Sequence, residues 1–167
     1  MQALFPQAER LSGLLRARGE TIAVSESSAG GLISAALLAV PGASAYFMGG
    51  AVVYTRTARE ALLGITDSDM TGMRSSSEPY ARLLAARVRH RFGTSWGIAE
   101  TGAAGPSGNR YGDAAGHACI AIDGPVALYR TVETGSSDRI ANMRVFAAAL
   151  FDLLIEGITS AGANPTG

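Results

Sequence analysis

The chain reads as a three-layer α/β/α domain around a mixed sheet, and three observations predict it. Short apolar runs alternate with amphipathic runs of helical period through the first half. Two strand-like runs then lie on either side of Asp123-Gly124-Pro125, a hairpin signal. With 167 residues, 47% of them apolar and 17% charged, the chain suits one well-filled domain rather than two. The organisation expected is a single domain over residues 1–160 and an unstructured tail over 161–167.

Each element has its own signal. Pro6 to Arg18 carries Ala8, Leu11, Leu14 and Leu15 at helical spacing, with Gly19 placed to end the helix. Thr21 to Ser25 is a first strand. A helix from Gly30 to Ala39, apolar on nearly all sides and hence a buried layer, stops at Pro41-Gly42. Ala45 to Tyr54 holds a second strand, where Gly49-Gly50 suggests a bulge or a close approach. A short helix spans Thr57 to Leu63 and ends at Gly64. Glu78 to Phe92 is a long amphipathic helix whose arginines form a solvated face. Trp96 to Ala99 is a third strand, running into Thr101-Gly102-Ala103-Ala104-Gly105-Pro106-Ser107-Gly108-Asn109, the start of the most glycine-dense loop. Ala115 to Ile122 and Val126 to Val132 form the hairpin, and a last helix covers Asp138 to Glu156.

Composition narrows the function classes. The 14 basic and 14 acidic residues give zero formal charge, which argues against a bulk electrostatic hold on nucleic acid or anionic membrane. Every basic residue is arginine, so lysine is removed from any mechanism. A lone Cys119 within an apolar run fits a reducing compartment. Gln7, Glu9 and Arg10 interrupt the place where a signal peptide needs its apolar stretch. The most apolar region, Ala29 to Ala45, is broken by Ser34, Pro41 and Gly42 and is too short to span a bilayer. A soluble, cytoplasmic protein is expected.

The stretch with most chemistry is Ser25-Glu26-Ser27-Ser28-Ala29-Gly30-Gly31. A strand that ends in small hydroxyl residues and reopens as a helix presents a side-chain oxygen and free N–H groups at the strand's carboxyl end. Such a turn suits a nucleophilic serine or a phosphate; it also suits a plain helix N-cap. The loop at Gly102 leaves another strand's carboxyl end, so both can line one crevice.

Several signals then occur in order. They are Glu26-Ser27-Ser28-Ala29-Gly30-Gly31, Pro41-Gly42-Ala43-Ser44-Ala45-Tyr46-Phe47, Val53-Tyr54 with Arg59 five residues on, Leu63-Gly64, Thr101-Gly102-Ala103-Ala104-Gly105-Pro106 and Asp138-Arg139. Over residues 8 to 156 this set resembles the CinA C-terminal domain family, the nicotinamide-nucleotide amidohydrolases. The resemblance implies a mixed, mostly parallel five-stranded sheet within the α/β/α sandwich. It implies hydrolysis of the carboxamide of nicotinamide mononucleotide to nicotinate mononucleotide and ammonia, without a metal. No cofactor is expected. The family nucleophile falls on Ser27, and the tyrosine of its Tyr-x-x-x-x-Lys motif falls on Tyr54.

The lysine of that motif is Arg59 here. A desolvated lysine can take a serine's proton; arginine stays charged and cannot. Three ways out stay open. Tyr54 can be the base if Arg59 lowers its pKa; Glu26, Glu100, His117 or Asp113 can stand in; or the reaction is altered or lost. Other departures are Ser28-Ala29 for the family's Cys-Thr, Met48-Gly49 for its Glu-Arg, and Ser137 for its glycine before Asp-Arg.

The catalytic set expected is therefore Ser27, Tyr54 and Arg59. N–H groups from Ser28 to Gly31 would stabilise the oxyanion. Ser28, Gly30, Gly31, Thr101, Gly102, Ala104 and Gly105 would bind substrate, with Arg139 as phosphate clamp. The partner expected is a small-molecule nucleotide, with neither nucleic acid nor membrane, in a homo-oligomer. A nucleotide-binding protein without hydrolase activity is the alternative, and a purely structural assembly domain a third.

Overall fold

In the computed structural model, which describes residues 2–162, the elements follow the expected order. Helix α1 (Phe5–Arg18) has Pro6 in its first turn and Gly19 as its left-handed cap, at φ 63°. Strand β1 (Ile22–Glu26), helix α2 (Leu32–Leu38), strand β2 (Phe47–Val52) and helix α3 (Arg56–Leu63) follow. Helix α4 (Glu78–Phe92) is capped by the Ser77 hydroxyl, which accepts the Tyr80 N–H at 3.4 Å, and closes at Gly93. Strands β3 (Trp96–Ala103), β4 (His117–Asp123) and β5 (Leu128–Glu133) precede the last helix, α5 (Arg139–Gly162).

The sheet order is β2-β1-β3-β4-β5. Pairs β1–β2 and β1–β3 are parallel, whereas β3–β4 and β4–β5 are antiparallel, so β4 alone runs against the other four strands. This is the mixed, mostly parallel five-stranded sheet that the resemblance implied. Helices α1, α2 and α5 cover one face, around Leu11, Leu15, Ile33, Leu37, Trp96 and Leu150. Helices α3 and α4 cover the other, around Val53, Leu63, Leu84, Val88 and Ala99. Alternation along each strand decides which side chains reach which layer: Val24 and Ile98 face α5, Ala23 and Ala99 face α4.

Several boundaries differ from expectation, and three of them bear on the site or the sheet. Strand β3 continues through Ala103, making Thr101 and Gly102 ladder residues opposite Cys119 and Ala118. A side chain at Gly102 would strike the His117 carbonyl and Ala118 on β4, so the glycine that reads as loop is a close approach between strands. Helix α2 begins at Leu32, because Gly30 and Gly31 take positive φ, 64° and 98°, in the turn before it. Strand β2 begins at Phe47, after a 3-10 turn at Ala43–Ala45.

Helix α5 is longer than expected, so Ala161 and Gly162 of the expected tail belong to it, and residues 163–167 lie outside the described residues. Among the described residues α5, rather than Ala29 to Ala45, is the helix whose length and composition would let it cross a membrane. Here it is the central core helix, with Phe146, Ala147, Leu150, Phe151 and Leu154 fully buried.

Candidate active site

The carboxyl ends of β2, β1 and β3 open into one cleft of about 520 Å³. Its wall on the β1 side includes Ser27, with Thr101 and Gly102 from β3 beside it. Val53, Tyr54 and Thr55 come from the segment leaving β2, and Arg56 and Arg59 from α3. Ser76, Tyr80, Asn109, Arg110 and Tyr111 complete the opposite side. A second cleft of about 210 Å³ adjoins it through Tyr54, Gly102 and Asn109, and adds Ser28, Ala104, Gly105 and Arg139.

Ser27 sits on a turn that two buried carboxylates hold from beneath. Glu26, at the end of β1, accepts the N–H groups of Gly31 (3.0 Å), Ile33 (3.0 Å) and Ser34 (2.8 Å) and the Ser34 hydroxyl (2.6 Å). Glu100, on β3, accepts the N–H groups of Ser27 (3.1 Å) and Ala29 (2.8 Å) and the Ser28 hydroxyl. Both glutamates are 0% exposed, and strand alternation points them at the α2 layer. Burial pushes the Glu100 carboxyl above its ordinary range, a shift to which nearby Glu26 adds; the Ser28, Ala29 and Ser27 donors oppose it.

This arrangement corrects the expected oxyanion site. The Ala29 and Gly31 N–H groups serve the glutamates and that of Gly30 donates to the Ser27 carbonyl at 3.2 Å. Among the described residues the Ser28 N–H alone in that stretch has no acceptor. Gly30 and Gly31 shape the turn and line neither cleft. The Ser27 hydroxyl opens on the larger cleft and has no hydrogen-bond partner among the described residues.

Arg59 is also placed differently from expectation. Its guanidinium is buried, with Nε donating to the Ile65 carbonyl at 3.2 Å and Nη2 to Asp67 at 3.0 Å. It makes no hydrogen bond to Tyr54; the guanidinium at the exposed Tyr54 hydroxyl is Arg139, at 3.4 Å. The reason is local. Thr55 caps α3 through the Ala58 N–H, so Tyr54 lies outside the helix while Arg59 lies one turn inside it. Arg139 spends its other terminal nitrogen on the Gly105 carbonyl at 2.6 Å. It thereby ties the β3 exit to α5 and is only partly available as a clamp.

The remaining stand-ins for a base are engaged. Asp113 receives Arg74 in a bidentate pair (2.6 and 3.0 Å) and Asn109 at 2.8 Å. The Arg74 pairing holds the Asp113 carboxyl below its ordinary range. His117 faces the Glu133 carboxylate through Nδ1 and the Ser76 carbonyl through Nε2 at 3.0 Å. Burial opposes its charge, but these acceptors and Asp113 outweigh burial and raise its pKa. Ser76, at φ 55°, is the one non-glycine residue with positive φ among those described, and its N–H donates to Thr101 at 3.3 Å.

Sequence reasoning missed Arg56, Ser76, Tyr80, Asn109, Arg110 and Tyr111 as cleft residues. For Asn109, which closes the glycine-rich run, and for Arg110 and Tyr111, which continue it, the signal was present. For Ser76 and Tyr80 no local signal existed. Among the described residues no cluster of His, Cys, Asp and Glu suited to a metal occurs.

The fold and cleft define an α/β domain that gathers its polar groups at the carboxyl ends of neighbouring strands. The model of the CinA C-terminal domain matches residues 5–158, and the chain belongs to that family. A CinA-like protein of Myxococcus xanthus is 37% identical over 155 residues, 90% of this chain and 36% of that protein. One from Prochlorococcus marinus is 44% identical over 112 residues, 67% of this chain and 26% of that protein. The chain thus aligns with about a quarter to a third of these relatives' length. The competence/damage inducible protein CihA of Agrobacterium tumefaciens superposes with TM-score 0.85 at 26% identity, over 92% of this chain and 94% of that one. A CinA superfamily protein of Enterobacter cloacae does so with TM-score 0.84 at 27% identity, over 91% and 90%.

Proposed function

We propose that this domain is an amidohydrolase that converts nicotinamide mononucleotide to nicotinate mononucleotide and ammonia. The observation that carries the reading is an unpaired Ser27 hydroxyl facing a cleft at three strand ends, on a turn fixed by hydrogen bonds to a buried carboxylate. Ser27 Oγ attacks the carboxamide carbon as its proton passes to a base, and the Ser28 N–H donates to the oxyanion. The proton goes on to the leaving nitrogen, ammonia departs, and water hydrolyses the acyl-serine. Tyr54, on the rim of both clefts, is the proton-transfer group, with Arg139 rather than Arg59 beside its oxygen. Arg56 and Arg110 on the larger cleft and Arg139 on the smaller supply cations for a phosphate. A cytoplasmic homo-oligomer acting on the free nucleotide completes the proposal.

A second reading is a nucleotide-binding homologue without turnover. Arg59 favours it, since it cannot take a proton and is committed to Ile65 and Asp67. Ammonia release from nicotinamide mononucleotide separates the two. The hydrolase reading expects release that falls at least about 10³-fold in Ser27→Ala. Saturable binding with no release sinks it for this substrate and supports the second.

A further inference from the structure

Glu100 is a fully buried carboxyl with no cationic partner among the described residues. Its hydrogen-bond partners are the two N–H groups that flank the Ser28 peptide unit and the Ser28 hydroxyl. An ionised carboxylate offers acceptors alone, so it orients all three donors toward β3 and turns the Ser28 proton away from the smaller cleft. Protonation weakens the two N–H bonds, which lose their charge assistance. It also gives the carboxyl a proton of its own, which can donate to Ser28 Oγ and reverse that hydroxyl.

We propose that Glu100 is a positioning residue for Ser27: its ionised form locks the nucleophile turn, and its protonation releases the turn and reverses the Ser28 hydroxyl. As a statement about turnover this rests on the hydrolase reading above; as a statement about the turn it does not.

The surroundings leave this switch to few groups. The ionisable neighbour across the turn is Glu26 on β1, equally buried and itself held by four donors of α2 and its approach. Helix α2, Leu-Ile-Ser-Ala-Ala-Leu-Leu, carries no ionisable side chain. On β4 the register partner is Ile120. Helix α5 covers this face with the buried Phe146 and Ala147, while its Arg139 and Arg144 are exposed. Two uncompensated carboxyls under one turn make the second charge harder to keep, and Glu100 is the one that carries the serine pair.

The test follows the Ser27 and Ala29 amide resonances by NMR as pH is varied, alongside ammonia release, in the native chain, Glu100→Gln and Ser28→Ala. Both amides are expected to titrate with one shared midpoint above pH 4.5, the ordinary value for the group. Ser28→Ala, lacking one donor to the carboxylate, moves that midpoint higher; Glu100→Gln, equal in shape, abolishes it. With nicotinamide mononucleotide, Glu100→Gln lowers kcat by about 10²-fold, leaves KM within about twofold and loses the acid limb at that midpoint. Amides that do not share a titration above pH 4.5 overturn the proposal, and this is read on the native chain even if the Gln variant fails to fold. A Gln variant that folds and keeps the native acid limb and kcat also overturns it. No release by the native chain at any pH removes the hydrolase reading alone, and the amide titration still decides the role of Glu100.

Discussion

The two sides of the cleft are held by different physics. On the Ser27 side, Glu26 and Glu100 are sealed from water and bind N–H and O–H donors, with no ion pair to an arginine among the described residues. On the opposite side, residues 64–77 and 105–116 are loops pinned by arginine–carboxylate pairs near the surface. These pairs are Arg59–Asp67, Arg87–Asp69 and Arg74–Asp113. The Ile33 and Ala29 N–H groups and the Ser28 hydroxyl are buried and have no water to turn to, so each of those lost bonds costs its full desolvation. Surface pairs are screened and partly replaced by water. The cleft therefore has one wall that fixes geometry and one that can adjust around a ligand.

The largest expected effect lies in the buried wall. Glu26→Ala strands the buried Ile33 N–H and removes three more bonds, to Gly31 and Ser34, and is expected to cost on the order of 3–5 kcal/mol, read as a lower urea midpoint. Asp113→Ala on the other wall frees Arg74 and Asn109, both able to reach water, and is expected to cost about 2 kcal/mol. If the two losses prove equal, the contrast between walls fails. Arg59→Lys keeps a charge for Asp67 but loses the Nε bond to Ile65, about 1 kcal/mol, read again as a shift in the urea midpoint. On the hydrolase proposal the same variant lowers ammonia release, since Arg59 serves the loop; a gain would show a site waiting for a base.

The smallest effect is the response to pH, and it too separates the walls. His117 has its pKa raised above the ordinary 6.5 by Glu133, Ser76 and Asp113 against burial. Its contribution is complete below that value and is lost as pH rises through the folded pKa. Asp113, depressed by Arg74, contributes above the ordinary 3.8 and loses this as pH falls through its folded value. The loop wall is thus expected to loosen at both ends of the range. Hydrogen exchange at Ser76 and Asn109 between pH 6 and 8, against that at Ile33 and Ser34, checks the alkaline side.

Much of this fold was legible in the sequence because its signals are local. Helix α4 starts and stops where Ser77 and Gly93 say it must, and α1 ends at Gly19 for the same reason. The hairpin of β4 and β5 follows from its turn residues. Gly102 misled because a glycine demanded by strand-to-strand contact looks the same as one demanded by a loop. The site was half visible. Ser27 and the strand-end glycines could be read from motif order, but the acceptor beneath Ser27 lies 73 residues away on β3. The pairing of Tyr54 with Arg59 failed because a spacing of five places them at different angles once Thr55 begins a helix.

Helix α5 carries a consequence for how this protein fails. It is as apolar as a membrane span yet serves as the central beam on which α1, α2 and three strands rest. Any event that lifts it away bares a continuous greasy surface on the helix and another on the sheet. Such a chain meets its neighbours before it can redock. Heat inactivation is therefore expected to end in aggregation and to depend on protein concentration, so the useful measure of durability is a lifetime in solution rather than a reversible midpoint.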